Sequence, residues 1–233
     1  MSLVPDSSPS PEESASPVPE WSSFKGLSAE DIQVHQRIAR YNDLVLTDAI
    51  RPSYDLKVKP QQGYRSGHYH DSDSGEPIPV VVAAVTAPLI IDVMHHLLRQ
   101  ATELGIDELT VVVSSTFGSG SEPNRYFQCD RISMISVLRL IEDFQDVLLN
   151  DGYTSLNLYS AEYEWELLLD EHKLILVYGD YQDQVRAVFE DWGIQPQPEM
   201  GFISEAEHVH SRSVELIERA LELQAVVGAW GSW

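Results

Sequence analysis

The chain has 233 residues, 43% of them hydrophobic, which is enough for one domain with a substantial core. Its 15 Lys and Arg face 37 Asp and Glu, giving a formal net charge of -22. Such a chain repels phosphate backbones and anionic lipid, so the charge counts against nucleic-acid and membrane partners; it suits a solvating surface or a basic protein partner. Cys129 is the single cysteine and cannot close an internal disulfide. The longest apolar run, Ile78 to Val85, is strand-sized and no signal peptide is expected ahead of the domain, so a cytoplasmic location is expected.

Residues 1–24 are rich in Ser, Pro and Glu and read as a disordered tail, with Trp21 and Phe24 pinning its end to the domain. A single domain is expected over 25–228, followed by a short aromatic tail over 229–233. Ser28 and Asp31 start a helix through about Tyr41, with Ile32, His35 and Ile38 on one face. From Leu44 to Pro77 periodicity fades, which predicts a long loop carrying short edge strands at Leu44–Leu46 and Leu56–Val58. Ile78 to Val85 is an apolar strand. Pro88 then opens a helix with a buried stripe of Ile90, Met94, Leu97, Ala101 and Leu104, and Leu109 to Val113 is the next strand. Together these predict a parallel βαβ unit. Asp130 is expected to cap a long helix to Asn150, and Leu156 and Leu158 mark a short strand.

The clearest syntax lies between Glu162 and Ile194. Tyr163, Trp165, Leu167 and Leu169 alternate with Glu162, Glu164 and Glu166, so one strand face is apolar and the other acidic. Asp170 to His172 suits a hairpin turn, Leu174 to Tyr178 a strand covered on both faces, and Asp180 the cap of a helix ending at Gly193. Ser204 and Glu207 predict a capping box for a last helix to about Val227. The fold expected is α/β with three layers: a mixed sheet, parallel in its βαβ half and antiparallel at the hairpin, flanked by helices.

Four constellations could carry chemistry. The Gly-rich stretch after Val113 offers Ser115, Thr116, Gly118, Ser119 and Gly120, with Cys129 and Asp130 beyond, as a loop whose backbone N–H groups could cradle a phosphate. Over about ten residues, Ser115-Thr116-Phe117-Gly118-Ser119-Gly120 with Pro123 and Asn124 is similar to one flavin-binding loop of flavodoxin-like domains, which implies a flavin, nucleotide or phosphate ligand. The turn Ala84 to Pro88, where that family carries its phosphate loop, holds no glycine. Cys129 at an expected helix N-terminus would favour the thiolate. His68 and His70, two apart on an extended chain, project to one side, with Asp71 and Asp73 as oxygen ligands for a metal. Asp92 with His95 or His96, Glu205 with His208, and Glu207 with His210 have helical spacing and read as helix-surface polarity. Glu162, Glu164 and Glu166 form an acidic face that would guard an exposed edge strand or meet a basic partner. The function expected is a non-enzymatic protein-interaction or regulatory module; the alternative is a small-molecule enzyme using the 114–124 loop.

Overall fold

Period-two alternation builds one long antiparallel sheet in this chain, and a computed structural model describes it over residues 19–70, 75–115 and 125–230. The strands are β1 (Arg40–Tyr41), β2 (Leu44–Val45), β3 (Ile50–Pro52), β4 (Gly63–His70), β5 (Pro77–Ala84), β6 (Glu108–Ser115), β7 (Arg125–Ser133), β8 (Thr154–Ser160), β9 (Trp165–Leu169), β10 (Leu174–Tyr178) and β11 (His208–His210). The helices are α1 (Ala29–Gln36), α2 (Ile90–Glu103), α3 (Met134–Asp143), α4 (Gln145–Asn150), α5 (Gln182–Asp191) and α6 (Val214–Trp230). The main sheet has seven strands in the order β4-β5-β10-β9-β8-β6-β7, and every neighbouring pair is antiparallel. β1 pairs with β2, and β11 with β3, as separate two-stranded ribbons.

The expected mixed sheet with a parallel βαβ half is therefore wrong. The alternating pairings leave β5 and β6 running the same way, as a helical crossover requires, but β10, β9 and β8 lie between them. Strands from later in the chain fill the gap that α2 spans, and all neighbours become antiparallel.

One face of the sheet is apolar along its length. Val81, Ala83, Val111, Val113, Leu156, Leu158, Leu167, Leu169, Ile175 and Val177 are all buried there. They share one core with the stripes of α2, α3, α5 and α6, including Met94, Leu97, Val137, Ile141, Phe189 and Leu223. The other face is half covered. Met200 and Phe202 close over Leu174, with Val82, Ala84 and Leu176 packed around them, so β10 is covered on both sides at this end. Among the described residues, no helix is long and apolar enough to cross a membrane.

Several boundaries differ from expectation for identifiable reasons. The Ser28–Asp31 capping box forms, but α1 stops at Gln36 because Arg40 and Tyr41 turn through Asn42, at φ 53, to pair with β2. Much of the stretch read as loop is β4, whose Gly- and Ser-bearing sequence hides its pairing with β5. Asp130 caps nothing; it sits on β7, where it accepts from Thr110 Oγ1 at 3.1 Å, and Ser133 caps α3 instead. Tyr181 stands at the cap position of α5 in place of Asp180. Glu207 makes no helix cap: its carboxylate accepts from Ser23 N at 2.7 Å and from Ser23 Oγ at 2.6 Å, and the chain runs on into β11 before α6 begins. Phe24 packs edge-on against His35, whereas Trp21 is exposed; residues 1–18 and 231–233 lie outside the described residues.

Gly152 marks where the segment after β11 meets the end of the sheet. Its N–H donates to Ser211 O at 2.9 Å, and an added Cβ would stand 2.2 Å from Ala49 O. Gly152→Ala should therefore lower stability by roughly 1–3 kcal/mol, as overpacking does, seen as a lower urea midpoint. An unchanged midpoint would contradict this close approach.

Candidate metal centre

A buried ion pair organises the end of the sheet where β8 begins. Asp151 has no exposure to water, and three kinds of donor reach its carboxylate. Arg212 donates through Nε at 2.7 Å and through its terminal nitrogen at 2.7 Å, Thr154 through its hydroxyl at 2.9 Å, and Tyr153 through its backbone N–H at 2.9 Å. The Arg212 fork is bidentate, the geometry that best compensates a desolvated carboxylate. Arg212 also donates to Ser115 Oγ at 2.8 Å and lies over the Tyr153 ring. Buried Lys173 donates to Thr154 O at 2.8 Å; desolvation pulls its pKa down to about 8 against the attraction of Asp151, Asp170 and Glu171.

That pair fixes the chain just after β11, and β11 carries His208 and His210. Residues two apart on a strand share a face, so both imidazoles point the same way. They meet His172, which sits in the turn between β9 and β10. The ring centroids form a near-equilateral triangle: 4.8 Å for His172–His208, 5.0 Å for His172–His210 and 4.9 Å for His208–His210. One nitrogen from each ring lies within 4.8 Å of the other two.

Each ring is oriented through its Nδ1. In His208 it faces Ala206 O at 2.7 Å, in His210 it faces Gly152 O, and in His172 it faces Asp170 Oδ2 at 3.0 Å. A carbonyl or carboxylate oxygen accepts, so Nδ1 is the donor in all three rings, and in the neutral form of each ring Nε2 carries the lone pair a metal would take. Nε2 of His172 and Nε2 of His208 stand 3.2 Å apart, within hydrogen-bond distance. Two ligands on a tetrahedral ion with bonds of 2.0–2.1 Å are separated by about 3.3–3.4 Å, which this spacing nearly matches.

Asp170 serves two purposes in its turn. Its Oδ1 accepts from Leu174 N at 2.8 Å, closing the hairpin, while Oδ2 holds the His172 ring. Burial by itself would lower the His172 pKa, but the hydrogen bond and charge of Asp170, with Glu171, raise it overall. Burial also acts on His210, and there the neighbouring His172 and His208 help it hold the pKa low despite the Gly152 carbonyl. Among the described residues, no fourth side chain joins the three imidazoles, and all three are only partly buried. An ion held here would keep an open position for water.

The sites expected from sequence are placed differently. Ser115 is buried in the Arg212 network; Thr116, Gly118, Ser119 and Gly120 lie outside the described residues. Cys129 pairs across with Val111 rather than with the Ser115 end of β6, and Asp130 follows it on β7. Burial, with Asp130, raises the Cys129 pKa, the reverse of the thiolate expected at a helix N-terminus. His68 and His70 do share a face of β4 and are exposed; Asp71 and Asp73 lie outside the described residues. On α2, His96 Nδ1 accepts from Trp192 Nε1 at 3.1 Å. Glu162 and Glu164 precede β9, whose first residue is Trp165, and Glu166 lies on a strand flanked by β8 and β10, so no edge is being guarded. The three-histidine centre escaped sequence reading. Its trace was the repeated His-x-His spacing, at 208–210 as at 68–70, with Asp-x-His at 170–172.

No protein family, curated protein or solved structure matches the chain.

Removing one partner of the buried pair strands the other. Arg212→Met should cost roughly 3–5 kcal/mol in denaturant unfolding, and adding Asp151→Asn should recover part of that loss. A cost below about 1 kcal/mol, the worth of a surface ion pair, would contradict the buried role of Arg212.

Proposed function

We propose that this protein binds a divalent transition-metal ion, zinc foremost, through Nε2 of His172, His208 and His210, with water in the fourth position. The equilateral histidine triangle, each Nδ1 engaged by an oxygen acceptor, is the observation that carries this reading. Three neutral nitrogen ligands suit zinc, copper, nickel or cobalt; calcium and magnesium prefer oxygen. Asp170 and Glu171 beside the site offset part of the added positive charge. The His₃ set with one open position is the ligand arrangement of zinc sites that acidify bound water toward pKa ~7, so the chemistry within reach is attack by metal-bound hydroxide or capture of a small anion.

The ion would also join two parts of the fold. His172 sits in the turn joining two strands of the main sheet, while β11 pairs with β3 in the neighbouring ribbon. Binding the native arrangement alone stabilises it by mass action, by about 2.7 kcal/mol at an ion concentration 100 times the dissociation constant.

Chelator-treated protein dialysed against zinc should retain one equivalent and melt at a higher temperature. Cobalt should give the visible absorption of a tetrahedral or five-coordinate site. His208→Ala should abolish retention. Asp170→Asn, which keeps an oxygen for the Leu174 N–H, should weaken affinity about 10- to 100-fold, as loss of an outer carboxylate does. Wild-type protein that retains no metal, or His208→Ala protein that retains it fully, would refute the site.

A further inference from the structure

The opposite end of the β9–β10 hairpin carries a second candidate site. There the face left open by Met200 and Phe202 forms a groove of about 730 Å3. Its floor is a cross-strand row, Tyr159–Glu166–Tyr178, set by direct pairing of β8, β9 and β10. Tyr69 stands edge-on to Tyr178, with centroids 6.0 Å apart and planes at 85°. Glu166 is thus paired across the sheet with two tyrosines, and the Tyr69 ring stands at right angles to that of Tyr178. Glu76, Glu164 and Asp180 add negative charge to the lining, which among the described residues includes no Lys, Arg or His.

Glu166 is partly buried yet has no ion pair among the described residues. Its Oε1 accepts from Asn157 Nδ2 at 2.9 Å, and Asn157 Oδ1 beside it is buried without a hydrogen-bond partner. Burial raises the Glu166 pKa, in part offset by the Asn157 hydrogen bond. A partly desolvated carboxylate with tyrosine rings beside it is complementary to a cationic nitrogen, because the anion and the ring quadrupoles attract the same charge. Phosphates, carboxylates and nucleic acid are repelled by the same lining.

We propose that this groove receives a lysine or arginine side chain of a partner polypeptide, the cation paired with Glu166 and packed against Tyr178 and Tyr69. Charge complementarity favours this occupant: the groove is acidic, the whole chain carries -22, and the row lies on the sheet face that Met200 and Phe202 leave open. The groove is away from the turn that holds His172, so this proposal stands whether or not the metal centre does.

The test titrates the full chain with the blocked peptide acetyl-Gly-Lys-Gly-Arg-Gly-amide, its Glu-for-Lys/Arg counterpart, and free spermidine. The basic peptide should bind saturably and more weakly as salt rises, and the acidic one should not bind. Glu166→Gln, which keeps an oxygen for Asn157, and Tyr178→Leu should each weaken binding at least about fivefold, the order expected for a partly desolvated cation contact. The exposed substitution Glu218→Gln, on α6 just after the Arg212 end of the sheet, should leave it unchanged, and thermal melts should confirm that all variants fold. Absence of peptide binding, binding of spermidine alone, or equal weakening by Glu218→Gln would each overturn the proposal.

Discussion

A carboxylate with no access to water needs donors to replace the waters it lost. Asp151 meets that demand with Arg212, the Thr154 hydroxyl and the Tyr153 N–H, and the result fixes four pieces of chain at once. Ser115 ends β6, Thr154 opens β8, Lys173 sits in the β9–β10 turn, and Arg212 follows β11. Close backbone contacts continue the same constraint: Gly152 N–H to Ser211 O, and Ser211 N–H to Ala49 O. The histidine triangle is built on this framework. His210 leans on the Gly152 carbonyl one residue from Asp151, and His172 precedes Lys173, whose ammonium reaches Thr154 O.

The two halves of the triangle come from unlike structures. His172 is held by a turn, through a carboxylate that also closes that turn; His208 and His210 are held by a strand too short to be stable alone, pairing three residues with β3. That short ribbon depends on its surroundings, including the Ser23 to Glu207 hydrogen bonds and the His35 contact to Pro52 O at 2.9 Å. An ion at the triangle is therefore a tie between a rigid sheet and a ribbon of low intrinsic stability. Metal affinity and the folding of the ribbon are then one coupled quantity.

The helix stripes of α2 and α5, the β9–β10 hairpin and the strand read at Ile78 to Val85, which is β5, were legible because each pattern repeats within one element. Sheet order was not, since nothing local says that β8, β9 and β10 will insert between β5 and β6. β7 was lost because Asp130 resembled a helix cap, and β4 because Gly63, Ser66 and Gly67 mimic loop chemistry. At the metal centre the decisive error was similar. Ser204 and Glu207 have capping-box spacing, which placed His208 and His210 on a helix face, whereas Glu207 is claimed by Ser23 from 184 residues away. A long-range hydrogen bond overrode a local signal, and with it the period that would have set the two imidazoles side by side. Cys129 shows the same dependence: its pKa direction follows from burial on β7, which the expected helix would have reversed.

X-ray absorption at the zinc edge tests the centre most directly. The zinc-loaded chain should show four light scatterers at about 2.0–2.1 Å, with outer-shell features of three imidazoles. A sulfur scatterer near 2.3 Å, or a shell of oxygens without imidazole features, would contradict the assignment of His172, His208 and His210 as the ligands.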